Sequence, residues 1–164
     1  MYQQTIPHLI HNINALSSML KKAEAHCDAR KYDKAAILQA RLFPDMFALT
    51  RQVQLVTDFA KGCGARLSET ANPAYADDET TFEGLQARLA KTAAFLSSID
   101  TGKFAGSGER KVTIKIRGEE TRLTGHDYVY SYVYPHFYFH MTTAYNILRH
   151  NGFELGKGDF LGRD

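Results

Sequence analysis

Apolar residues recur at three- and four-residue steps in separate runs along this chain, and that spacing commits most of it to amphipathic helices. The first run is Ile6, Leu9, Ile10, Ile13, Leu16, Leu20 and Ala23. The second is Leu49, Val53, Val56 and Ala60, with Met46 and Phe59 at its edges, and the third is Phe82, Leu85, Leu89, Leu96 and Ile99. A fourth, aromatic-rich region follows Thr124 and is interrupted by Pro135. Each apolar stripe must be buried against another element. Four of them give an all-α four-helix bundle.

Local signals set the expected boundaries. The first helix is predicted over residues 6–26, and a short one over 33–41 with Asp33 as its cap. Pro44 suits a first helical turn and Asp45 suits the positive helix end, so the second helix is expected to open there. Gly62 and Gly64 are expected to stop or loosen it. Asn72-Pro73 marks a loop, and Thr80-x-x-Glu83 has capping-box spacing before the third helix. Val112, Ile114 and Ile116 alternate with polar residues, Gly118 permits a turn, and residues 121–123 can return. This predicts a small β-hairpin between the third and fourth helices, one that must lean on them to be stable. Thr124-x-x-Asp127 opens the fourth region. Pro135 removes a backbone donor and disfavours α geometry at Tyr134, which predicts a kink or restart there and a main helix over 135–150, ended by Asn151-Gly152. In the glycine-rich tail, Phe160 and Leu161 are expected to dock on the body. The long loops permit a crossover topology as well as up-down-up-down.

With 164 residues the chain has the size of one domain, expected over 1–164. The net charge of +2 is spread along the chain, which does not point to nucleic acid. The alternation around Lys111, Lys115 and Arg117 reads as the wet face of a strand. No apolar stretch approaches a membrane span, and no signal peptide is evident. Cys27 and Cys63 make no disulfide framework, so reduced thiols and a cytoplasmic location are expected.

Chemistry concentrates in Tyr134-Pro135-His136-Phe137-Tyr138-Phe139-His140. On a helix, His136 and His140 stack on one face with Thr143 and Ala144. Two imidazoles so placed can share a divalent ion such as zinc, nickel, iron or manganese, provided other residues raise the protein ligands to about three. Asp45 is the candidate carboxylate and Gln52, seven residues on, the candidate amide ligand or partner to a histidine. The simpler reading is a pair of core-edge histidines making hydrogen bonds. Tyr138, Thr143 and Tyr145 are candidate pocket residues, although tyrosines at this density also suit core packing or a dimer interface. The pair lacks the glutamate of a zinc-protease helix, and no catalytic triad or phosphate-binding glycine loop is present.

Several ordered segments resemble one bacterial family, DUF1993. They are Arg41-Leu42-Phe43-Pro44-Asp45-Met46, Gln52-Val53-Gln54, Asp78-x-Thr80-Thr81-Phe82, Pro135-His136-Phe137-Tyr138-Phe139-His140, Ala144-Tyr145-Asn146-Ile147-Leu148-Arg149-His150-Asn151-Gly152 and Gly156-Lys157-x-Asp159-Phe160-Leu161-Gly162. That family in turn resembles a branch of the DinB/YfiT superfamily. The resemblance implies a DinB-like four-helix bundle, often a homodimer. It also implies a divalent metal held by one second-helix histidine and an H-x-x-x-H pair on the fourth helix, serving thiol-dependent transferases or isomerases in some members. His136 and His140 match the pair, but no histidine lies between Phe43 and Gly62. Two readings follow: a metal-depleted, non-catalytic dimer that binds a small molecule or partner, or a divalent-metal enzyme completed by Asp45 or Gln52.

Overall fold

A computed structural model describes residues 1–163. The first helix, α1 (Tyr2–Arg30), outruns its expected limits at both ends and closes on Lys31 in the left-handed region, φ 56°. The short α2 (Lys34–Leu38) starts where expected, with the Asp33 carboxylate accepting from the Ala35 N–H at 2.9 Å.

The second long helix, α3 (Leu49–Ser68), departs from expectation at both ends. Pro44 and Asp45 lie in a turn ahead of it, not in its first turn. That turn is held by Met46 N–H donating to Phe43 O, by Arg41 Nη1 donating to Met46 O at 2.8 Å, and by Leu49 N–H donating to Ala40 O at 3.0 Å. Backbone and arginine bonds across the segment thus outweigh the helix-start preference of Pro-Asp. At the other end, Gly62 and Gly64 lie inside the helix. Gly64 serves close approach: a Cβ there would stand 2.6 Å from Leu96 Cδ2 and 2.9 Å from Ile99 Cδ1.

The linker to the next helix runs past Arg88, whose side chain is fully buried. Arg88 pairs with Asp77 at 2.7 Å, Glu79 at 3.0 Å and Asp58 at 2.9 Å, and its Nε donates to Thr57 Oγ1 at 2.6 Å. Then α4 (Phe82–Ser98) begins under a cap from Thr81, which accepts from Gly84 N–H, one residue later than the expected Thr80. The hairpin pairs β1 (Lys111–Ile116) with β2 (Glu119–Thr124) in antiparallel register, Ile116 opposite Glu119. Its two-residue turn takes positive φ at both Arg117 (52°) and Gly118 (89°), the geometry that matches strand twist. Val112 and Ile114 bury the inner face of β1 in the core.

After a single turn, α5 (Gly125–Asp127), the chain forms a π-helical segment over Tyr128–Val133 and then α6 (Tyr134–His150). Pro135 explains the wide turns, because it has no N–H to offer the carbonyl four residues back. The expected kink therefore takes the form of a local widening. The tail forms α7 (Lys157–Leu161), packed along α1, with Phe160 edge-on to Tyr145 and Leu161 O accepting from His11 Nε2 at 2.8 Å.

Among the long helices α3 packs chiefly on α6 and α4, and α1 chiefly on α4. Since α1 and α3 make few contacts, the bundle is of the crossover kind, and one apolar core runs through it. Among the described residues no helix is long and apolar enough to cross a membrane.

Candidate polar centre between the second and fourth long helices

The α3–α6 contact brings Gln52 and Phe59, seven residues apart on one face of α3, against His136 and His140. His140 Nδ1 lies 2.8 Å from Gln52 Oε1, while Gln52 Nε2 donates to the Phe47 carbonyl at 3.0 Å. A carbonyl can only accept, so the amide nitrogen must face Phe47 and the amide oxygen must face the imidazole. His140 Nδ1 therefore carries its proton. The same argument applies to His136, whose Nδ1 lies 2.7 Å from the Tyr132 carbonyl and donates to it. Both rings are thus fixed with Nδ1 as the donor, and in the neutral form each presents the lone pair of Nε2. Among the described residues neither Nε2 has a hydrogen-bond partner.

Rings fix the remaining freedom. Phe59 stacks on His136 at 4.7 Å between centroids and on His140 at 5.7 Å, with interplanar angles of 25° and 14°. Tyr132, at the end of the π-helical segment, lies 4.4 Å from His136 and 5.7 Å from Phe59. His140 is only 8% exposed. Burial, helped by the neighbouring His136 and by the Arg51 guanidinium, pushes its pKa down to about 4, so it is uncharged at neutral pH.

The metal implied by the family resemblance can be tested against this donor set. Two imidazole nitrogens are available. Gln52 Oε1 already accepts from His140, Phe59 occupies the next turn of α3 that faces the pair, and Asp45 is exposed on the turn before α3. Among the described residues no group of three or more His, Cys, Asp or Glu side chains is placed to hold an ion. The residues as arranged do not fit a three-ligand site.

The candidate pocket residues go elsewhere. Tyr138 faces α1, where its hydroxyl meets His8 Nε2 and Asn12 Nδ2. Thr143 donates to the Phe139 carbonyl of its own helix at 2.7 Å, and Tyr145 packs on Phe160. Phe59, by its position in the sequence, reads only as the edge of a core stripe. Its seven-residue spacing from Gln52 is the signal that both share the face opposite His140. Phe59 and Tyr132 also line a cleft of about 590 Å³ between α3, the hairpin and the π-helical segment.

The family profile described as Domain of unknown function (DUF1993) matches residues 1–161. The chain belongs to the DUF1993 family. This DUF1993 chain is also similar to a solved structure, that of a DinB family member protein from Shewanella denitrificans. The two are 37% identical, the alignment covers 98% of this chain and 91% of the other, and the TM-score is 0.92. The DUF1993 chain is therefore a DinB-like helical bundle with a two-stranded hairpin inserted before its last long helix. No curated protein matches it.

Proposed function

We propose that this DUF1993 protein is a non-catalytic, metal-independent DinB-like bundle that binds a small molecule beside the Gln52–His136–His140 centre. The observation that carries this reading is the 2.8 Å bond between Gln52 Oε1 and His140 Nδ1. The second-helix side chain closest to the histidines is spent on orienting an imidazole. What remains is a pair of fixed hydrogen-bond acceptors, Nε2 of His136 and of His140, behind the aromatic wall of Phe59 and Tyr132 and next to a cleft of ligand size.

The competing reading is a divalent-metal enzyme in which His136 and His140 are ligands joined by Gln52 or Asp45. Elemental analysis of protein purified without an affinity tag, followed by zinc and nickel titration, decides between them. The expected result is substoichiometric metal and no saturable uptake. One equivalent of metal that disappears in His136→Ala and His140→Ala would overturn the proposal.

The protein is further proposed to act as a cytoplasmic homodimer. Phe43, Phe47 and Phe139 are 63%, 54% and 57% exposed, and Phe47 and Phe139 flank Gln52 and His140 through the Phe47 carbonyl and a ring contact. Light scattering on the purified chain is expected to give twice the chain mass. A monomer across the micromolar range would remove that part.

A further inference from the structure

The cleft beside the histidines contains two cations, Arg66 and Lys115, that form no ion pair among the described residues. Arg66 lies over the Tyr128 ring at 5.9 Å, and its Nη1 donates to Tyr128 Oη at 3.2 Å. Lys115 projects from the exposed face of β1 into the same cleft. Lys115 is left so even though Glu120 stands opposite it in the hairpin register.

The acids of the cleft are differently placed. Asp58 is committed to Arg88 at 2.9 Å and to Lys61 at 3.2 Å, so the Lys61 charge is also spent. Glu120, opposite Lys115, also lines the cleft and meets Arg122 at 3.4 Å. Three rings join the cationic end to the histidines in series. Tyr128 stacks on Tyr132 at 5.9 Å, and Tyr132 meets Phe59 edge-on at 5.7 Å.

We propose that this cleft binds a small aromatic carboxylate, its acid group held by Arg66 and Lys115 and its ring laid against Tyr132 and Phe59. This rests on the ligand-binding reading above and names the ligand class. A guanidinium already oriented by a tyrosine hydroxyl and a ring face loses little freedom when its planar fork meets a carboxylate. A volume of about 590 Å³ lies within the range of small-molecule sites. A cationic ligand would be repelled by both free charges, and a neutral one would leave them unused.

Three probes of matched shape separate the possibilities: 3-phenylpropionate, 3-phenylpropanol and 3-phenylpropylamine, titrated into the full chain by calorimetry. The propionate is expected to bind at least about tenfold more tightly than the alcohol, with the amine weakest. Arg66→Gln and Lys115→Gln are each expected to remove most of that preference. Lys115 is exposed and makes no hydrogen bond or ion pair among the described residues, so the thermal midpoint of Lys115→Gln should not move. Equal binding of all three probes would overturn the anion inference and leave the ligand-binding reading standing. Binding by none of them would overturn the inference and count against that reading too. Propionate binding that is unaffected by both substitutions would overturn the assignment of the acid group to Arg66 and Lys115.

Discussion

Gln52 on α3 and His140 on α6 share one proton-bearing contact, Nδ1–H to Oε1 at 2.8 Å, and the other end of the amide is fixed by the Phe47 carbonyl. One side chain therefore links the turn before α3, α3 itself and α6. Gln52→Leu keeps the bulk and removes both bonds, leaving a buried N–H and a carbonyl unpaired. A loss of about 1–3 kcal/mol in denaturant-derived stability is expected. Gln52→Glu keeps an acceptor for Nδ1 and adds a negative charge, which favours the imidazolium. The His140 pKa, read by NMR titration, is expected to rise from its low value towards the ordinary one. An unmoved titration in Gln52→Glu would show that the contact is not formed in solution.

The low pKa of His140 makes stability depend on pH. Burial pushes the folded pKa to about 4, against 6.5 for a free imidazole. Above pH 6.5 the ring is neutral in both states and contributes no pH dependence. Below it the unfolded chain takes up a proton that the folded chain refuses, so stability falls as pH drops from about 6.5 towards 4. Partial solvent access reduces the effect to roughly 1–2 kcal/mol. Other groups also titrate in this window. The test is therefore the difference between wild type and His140→Gln, whose stability curves are expected to converge as pH falls from 7 to 4.5.

Much of this architecture is legible in the apolar spacing, because burial of a helical stripe leaves a regular mark. Phe82, Leu85, Leu89, Leu96 and Ile99 all lie in the core, as do Ile6, Leu9, Ile13, Leu16 and Leu20. The hairpin is legible for the same reason, with a period of two. Features set by particular loop bonds or by side chains on other helices are not. Pro44-Asp45 reads as a helix start until Arg41 and Leu49 are seen to tie that segment into a turn. Gly62 and Gly64 read as a stop, yet at Gly64 it is Leu96 and Ile99 that require the missing side chain. In the polar centre, the His136–His140 spacing locates one wall. The opposite wall depends on the relative rotation of α3 and α6, which a single sequence does not encode locally.

Arg88 shows how a buried charge can organise a loop. Its guanidinium is enclosed by Asp58, Asp77, Glu79 and Thr57, and the Tyr75 ring lies 4.9 Å away. Burial alone would raise the pKa of Asp77 and of Glu79. Hydrogen bonds outweigh it, from Arg88 and Arg51 to Asp77 and from Gln54 and Arg88 to Glu79, and hold both carboxyls below the usual range. Arg88→Met preserves the apolar stem and removes every one of the arginine's bonds. A destabilisation of roughly 3 kcal/mol is expected, because the acids lose the cation that gathers them. The linker at residues 70–80 should become the first site of limited proteolysis. Unchanged protection of that linker would mean that Tyr75 packing, not the ion pairs, holds it.

Gly64 sets two effects against each other. Replacing a mid-helix glycine by alanine gains about 1 kcal/mol of helix propensity. Here the new methyl would meet Leu96 Cδ2 at 2.6 Å and Ile99 Cδ1 at 2.9 Å, inside a core with both residues buried. Overpacking of that kind costs about 1–3 kcal/mol, since α4 must shift or its side chains must leave their rotamers. The steric cost outweighs the propensity gain, so Gly64→Ala is expected to lower the thermal midpoint. Gly64→Ala combined with Leu96→Ala removes the nearest obstacle, and the pair should cost less than the sum of the single changes. Strict additivity in that double-mutant cycle would show that α3 and α4 do not meet at Gly64 and Leu96 as closely as the structure places them.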